Sequence, residues 1–231
     1  MTNPSFTIKA IFFDFDGVLT TEESGSVTNK RNLHKLTGIS LEKIAKCYKT
    51  YWKEELIKGT ITHQNFWDDF CACLEISLPI TRLSEIVGNV PQNRRMVQLA
   101  HNLRQNGYKI GIITDNDDFR FKVLEKEMKL PRRFDTIIVS ARVGAVKTNR
   151  LIFEKALEAL KVEPEESVFI DNRERNLAVP AKMGFKIYLH DYLKNDVKKL
   201  ADQLREWGIK VKFCCFTCYT LSCAPLLTWC L

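Results

Sequence analysis

Short apolar runs alternating with helical stripes constrain this chain more than any other feature. From residue 96 onward, runs rich in Ile, Val, Phe and Tyr at residues 108–113, 136–139, 168–170 and 185–189 are bounded by turn signals, and a fifth run lies at 8–13. The gaps between them carry apolar residues at helical spacing: Met96, Leu99, Ala100 and Leu103, then Phe153, Ala156, Leu157 and Leu160, then Val197, Leu200, Ala201 and Leu204. Strand alternating with helix argues for an α/β fold, a Rossmann-like parallel sheet with flanking helices. Asn106–Gly107 supplies a helix stop before the second strand.

Between the first strand and residue 95 the rhythm changes. Helical patterns dominate at 41–57 and 63–76, with Ser40 and Thr62 where N-caps belong and a stripe of Phe66, Phe70, Cys73 and Leu74 suited to helix packing. The sequence therefore divides into a discontinuous α/β body (1–20 and 96–212), an inserted helical unit (21–95) and an apolar, Cys-rich tail (213–231).

Composition narrows the function classes. The 231 residues are 45% hydrophobic and 27% charged, enough for a buried core. The formal charge is +7, but Lys and Arg are interspersed with acids rather than blocked together, so no nucleic-acid partner is expected. The N-terminal MTNPSFTIKA has no basic start followed by an apolar stretch, which predicts a cytoplasmic, reducing location. In that setting the scattered Cys47, Cys71 and Cys73 read as small buried apolar residues. The other five cysteines crowd the tail, which carries no charge after Lys212. Membrane contact through this tail is disfavoured by Pro225 and four hydroxyl residues, and the lone Cys215-x-x-Cys218 lacks a second pair for zinc. The favoured reading is an extension outside the fold.

The chemistry is concentrated where the first strand ends, in IFFDFDGVLT. Alternation along a strand puts Asp14 and Asp16 on the same side, at the carboxyl edge where α/β sheets bind ligands, and Gly17 allows a sharp exit. Two neighbouring carboxylates repel unless a cation or proton is shared, and Mg²⁺ suits them. The plain alternative is a polar strand end with turn-forming aspartates.

On these residues the chain resembles the haloacid dehalogenase-like (HAD) hydrolase superfamily, whose phosphatases open with a DxDGxx motif at the end of the first strand. Three further motifs follow in order: Thr114 in GIITDN, Lys147 in VGAVKTNR, and Asp171 in SVFIDNRERN. Thr148 stands where the family often has Pro, and Asn172 replaces the second acid of the last motif. The resemblance implies that Asp14 is the nucleophile and Asp16 the acid and then the base. Thr114 and the backbone N–H of Asp115 would hold a phosphoryl oxygen, and Lys147 would offset negative charge. Mg²⁺ would be held by the Asp14 carboxylate, the Asp16 backbone carbonyl and Asp171, with one carboxylate fewer than usual because of Asn172.

The implied activity is hydrolysis of a small phosphorylated metabolite, sugar phosphates included, through an aspartyl-phosphate, with residues 21–95 as a cap over the substrate. Glu22, Glu23 and Ser24 would form its hinge or lip. Trp52, Phe66 and Trp67 read as cap core rather than pocket lining. Two alternatives stand beside this: a sugar phosphomutase, and a weakly catalytic binding or scaffold protein, the latter motivated by Asn172 and Asp115. Dehalogenase chemistry is disfavoured, since it has no need of the second acid, Asp16.

Overall fold

The computed structural model describes residues 7–51 and 54–211. From β1 (Ala10–Phe13) the chain enters a helical stretch of α1 (Gly25–Thr37), α2 (Leu41–Tyr51), α3 (Glu54–Ile57), α4 (Trp67–Leu74) and α5 (Leu83–Val87). It returns through α6 (Arg94–Gln105) to β2 (Lys109–Thr114), α7 (Asp118–Glu127), α8 (Leu130–Arg133), β3 (Thr136–Val139), α9 (Ser140–Val143) and α10 (Arg150–Leu160). β4 (Ser167–Asp171), α11 (Glu174–Met183), β5 (Lys186–Leu189) and α12 (Val197–Glu206) complete the described chain. The strands form one parallel sheet in the order β3-β2-β1-β4-β5, a Rossmann-like α/β architecture with flanking helices. The chain builds outward from β1 to one side and then to the other, so a crevice opens at the carboxyl ends of β1, β2 and β4.

The apolar runs are uniform because both faces of the sheet are covered. Ile11 and Phe13 join Ile110, Ile112, Val168 and Ile170 in a layer closed by α6, α7 and α12. Ala10 and Phe12 join Ile113 and Phe169 in the opposite layer, closed by α10 and α11. Phe12 and Phe13 are fully buried, each contributing about 2–3 kcal/mol of transfer free energy. The strand limits differ from the sequence reading by one or two residues at four of the five runs, and the shift that matters makes Thr114 the last residue of β2.

The helical stretch between β1 and β2 has a core of its own, in which Leu33, Ile44, Tyr48, Phe66, Trp67, Phe70 and Leu74 cluster. Phe66 and Trp67 belong to it, and the indole Nε1 of Trp67 donates to the Leu78 carbonyl at 2.7 Å. The expectation for the cysteines is corrected. Packing of α2 against α4 brings the Cα atoms of Cys47 and Cys73 to 6.0 Å, and the two form a disulfide, while only Cys71 is a free buried thiol among the described residues. A separation of 26 residues gave no sign of that contact. No helix among the described residues is long and apolar enough to cross a membrane. Trp52 and the tail at 213–231 lie outside the described residues.

Candidate active site

The loop after β1 is set by two local devices. Asp14 accepts the Phe15 N–H on its own Oδ1 at 2.7 Å, and Gly17 turns the chain at φ +77°. That glycine is required twice over, because a Cβ there would also lie 2.2 Å from Asn172 Nδ2. The turn after β1 thus packs its backbone directly against the Asn172 side chain.

Around this turn, Lys147 is inserted between two carboxylates. Its Nζ lies 2.6 Å from Asp14 Oδ1 and 2.8 Å from Asp171 Oδ2, and all three residues are buried. Burial works against the ammonium, but Asp14, Asp171 and Asp115 together overcome it and hold Lys147 protonated well above its ordinary range. One ammonium cannot neutralise both acids, and burial, reinforced by the Asp171 charge, pushes Asp14 well above the usual carboxylate range. Asp171 is further fixed by the Arg173 N–H at 2.8 Å and by Asn176 Nδ2 at 3.1 Å from each oxygen. Asp115 turns toward the loop that carries Lys147, accepting its backbone N–H at 2.9 Å, and burial raises its carboxyl against the opposing pull of Lys147.

Asp16 does not join that cluster. Its two oxygens are taken by the guanidinium of Arg120, each at 2.8 Å, and Oδ2 also accepts from Asn116 Nδ2 at 3.3 Å. The same Nδ2 reaches Thr114 Oγ1 at 3.0 Å, leaving the threonine hydroxyl hydrogen to donate elsewhere. Asn116 therefore ties the Asp16 carboxylate to the end of β2. Asn116, Arg120 and Asn176 were not anticipated, although Arg120 carried a hint. A cation in the first turn of a helix opposes the helix dipole and needs a specific anion to hold it there.

Asn172 donates to the Glu23 carbonyl at 3.2 Å, while its buried Oδ1 has no hydrogen-bond partner. Glu23 also meets Tyr192 and Arg173, and Glu22 pairs with Arg31 and Thr28, so the segment after the first motif is anchored from several sides. Among the described residues no three His, Cys, Asp or Glu side chains converge into a cation cage, because Lys147 stands between Asp14 and Asp171 while the Asp16 carboxylate faces Arg120. A cation bound through the Asp16 carbonyl rather than its carboxyl remains consistent with this arrangement. The orphaned Asn172 oxygen and the excess of buried carboxylate over ammonium suit a divalent cation. Volume does not mark the site: a cavity of about 610 Å³ between α6 and the α7–α8 corner shares no lining residue with it.

A sequence model of the haloacid dehalogenase-like hydrolases matches residues 8–184. Among curated proteins, bifunctional epoxide hydrolase 2 of Rattus norvegicus is 29% identical over 86% of this chain and 38% of its own length. Acyl-CoA dehydrogenase family member 10 of Mus musculus is 29% identical over 62% of this chain and 14% of its own. The chain therefore spans well under half the length of either relative. A glyceraldehyde 3-phosphate phosphatase of Pyrococcus furiosus is 34% identical over 31% of this chain and 30% of its own length. Among solved structures, a HAD family enzyme of Bacteroides thetaiotaomicron in complex with magnesium and inorganic phosphate superposes with a TM-score of 0.65 at 20% identity, covering 80% of this chain and 95% of that one. An L-2-haloacid dehalogenase of Xanthobacter autotrophicus with chloropropionic acid covalently bound gives 0.59 at 16% identity, covering 88% and 85%. At these identities the structures establish the fold alone.

Proposed function

The chain belongs to the haloacid dehalogenase-like hydrolases, and from that premise we propose that it is a Mg²⁺-dependent phosphatase acting on a small phosphorylated metabolite through an aspartyl-phosphate on Asp14. The observation that carries this reading is the division of labour between two ion pairs, one buried and one partly buried. One holds Asp14 against Lys147, and the other holds a second acid, Asp16, against Arg120 beside Thr114. A haloacid dehalogenase expels a halide and needs no second acid. An alkoxide does need one, because it is a poor leaving group until protonated.

In the proposed reaction an Asp14 oxygen attacks phosphorus and the ester P–O bond breaks. Its electron pair stays on the leaving oxygen, which takes a proton from Asp16. Lys147 and the Thr114 hydroxyl offset the charge on the phosphoryl oxygens. Water then attacks phosphorus, Asp16 takes its proton, and the bond to Asp14 breaks to regenerate the carboxylate. Asp14, the Asp16 carbonyl and Asp171 would hold Mg²⁺, which when bound supplies positive charge to the phosphoryl group. The similarity to a phosphatase from P. furiosus, short as the match is, supports the phosphate ester over the other bonds that this family cleaves.

The test is Mg²⁺-dependent release of phosphate from p-nitrophenyl phosphate and a panel of phosphorylated metabolites, with Asp14→Asn as control. Turnover abolished in the variant supports the reading. An isomeric phosphate with little free phosphate would favour a mutase, and no turnover across the panel would favour a scaffold.

A further inference from the structure

Arg120 and Lys147 are the two buried Arg or Lys side chains among the described residues. The side chain of Arg120 is 2% exposed, its Nε is buried with no hydrogen-bond partner, and burial opposes its charge, which the Asp16 carboxylate more than offsets. The guanidinium is contacted on several sides. Its centre lies 6.0 Å from the Phe15 ring, Asn116 Oδ1 accepts from Nη1 at 2.5 Å, and a Cβ on Gly25 would lie 2.3 Å from its Cζ. Gly25 is the first residue of α1, so the helical insert lies against the guanidinium on one side, while Phe15 and Asp16 of the loop after β1 contact it as well. A group enclosed in this way does not meet substrate. The one ion pair that the guanidinium makes among the described residues is the bidentate grip on Asp16.

We propose that Arg120 is a positioning residue: it fixes Asp16 as an aimed carboxylate for the second half of the reaction, in which water cleaves the aspartyl-phosphate. The proposal rests on Asp16 serving as acid and then base. Once Asp16 has given its proton to the leaving oxygen, it is the carboxylate that Arg120 and Asn116 hold in one orientation, and that orientation decides how well it takes the proton from water. Formation of the aspartyl-phosphate from an ester whose leaving group needs no proton is untouched by this role. Loss of Arg120 therefore moves the slow step to hydrolysis of the covalent intermediate, a shift that a general loss of structure does not produce.

The experiment uses the full chain with Mg²⁺ and 2,4-dinitrophenyl phosphate, followed by rapid mixing and in steady state. In R120M, kcat is expected to fall about 100-fold, at the low end of what a general base contributes. KM should fall by the same factor, with kcat/KM unchanged within about 3-fold and a burst of one dinitrophenolate per active site. R120K should recover about tenfold in kcat, since an ammonium keeps the charge but loses the two-point grip. If R120M does not fold, Gly25→Ala carries the same test, because its methyl displaces the guanidinium without removing it. Parallel loss of kcat and kcat/KM with no burst, or no change in either, overturns the assignment while leaving the phosphatase reading intact. Wild-type protein with no turnover of this ester overturns both.

Discussion

Lys147 shows how few residues hold the site's charge balance. Replacing it with Met keeps the volume but leaves Asp14 and Asp171 buried without their shared cation, and breaking a buried pair in this way costs about 3–5 kcal/mol. Lys147→Met is therefore expected to lower the thermal midpoint markedly. Added Mg²⁺ should restore part of it, giving the variant a larger Mg²⁺-induced shift than wild type in thermal unfolding. Asn172→Asp tests the other side of the balance. It restores a carboxylate where Asn172 Oδ1 now has no partner, so calorimetry should record tighter Mg²⁺ binding. The same change replaces the amide that donates to Glu23 with an acceptor, so the Glu23 segment should exchange amide hydrogens faster. Asp14, Thr114, Lys147 and Asp171 were singled out by resemblance to the family's motifs, helped by their places at a strand end or in a loop before a periodic helix. Arg120 and Asn116 reach Asp16 only because α7 and the turn before it fold back over that residue, contacts between residues 104 and 100 apart that no local pattern encodes.

At the scale of the element, α1 was one of the helices that hydrophobic periodicity missed, and its buried face explains why. Thr28, Asn29 and Asn32 point inward, with Leu33 as the one large apolar residue among the buried positions, so the helix carries little of the stripe that reveals its neighbours. Hydrogen bonds supply part of what apolar burial supplies elsewhere. Asn29 Nδ2 donates to the Tyr48 hydroxyl at 3.0 Å, and Asn32 Nδ2 reaches the carbonyls of Ile86 at 3.0 Å and Gly88 at 2.8 Å. Asn32 thus joins α1 to the end of α5. Asn32→Leu would leave two carbonyls short of a donor and is expected to destabilise the protein by about 2 kcal/mol, read from the urea midpoint. Asn32→Asp should cost more, since it sets a carboxylate against the same two oxygens. The strands were legible for the converse reason: a sheet buried on both faces writes its limits as unbroken apolar runs, whereas a helix with a polar buried face writes none.

At the scale of the whole molecule, the buried acids Asp14 and Asp115 and the buried His63 make opposite demands on protons. In the α/β body, Asp14 and Asp115 are raised, so the folded state holds protons there that the unfolded chain would release, and falling pH favours folding at those sites. His63, in the helical insert, behaves in the reverse sense. It is 4% exposed, packed against Phe66 and Phe119, and burial lowers it below its ordinary value despite Asp117, whose Oδ1 lies 3.9 Å from its Nδ1. The unfolded chain therefore takes up the proton first. The stability that neutral His63 contributes is complete above about pH 6.5 and is lost as pH falls from there toward its own lower value. Each pH unit in that window costs up to about 1.4 kcal/mol. His63→Gln removes this penalty and leaves the contributions of Asp14 and Asp115 unchanged, so the comparison isolates the insert. Between pH 7.5 and 5.5 the thermal midpoint of wild type is expected to fall more steeply than that of the variant, with exchange accelerating first in α2 and α4. Parallel pH profiles would mean that His63 takes its proton without loosening the contact between the helical insert and the start of α7.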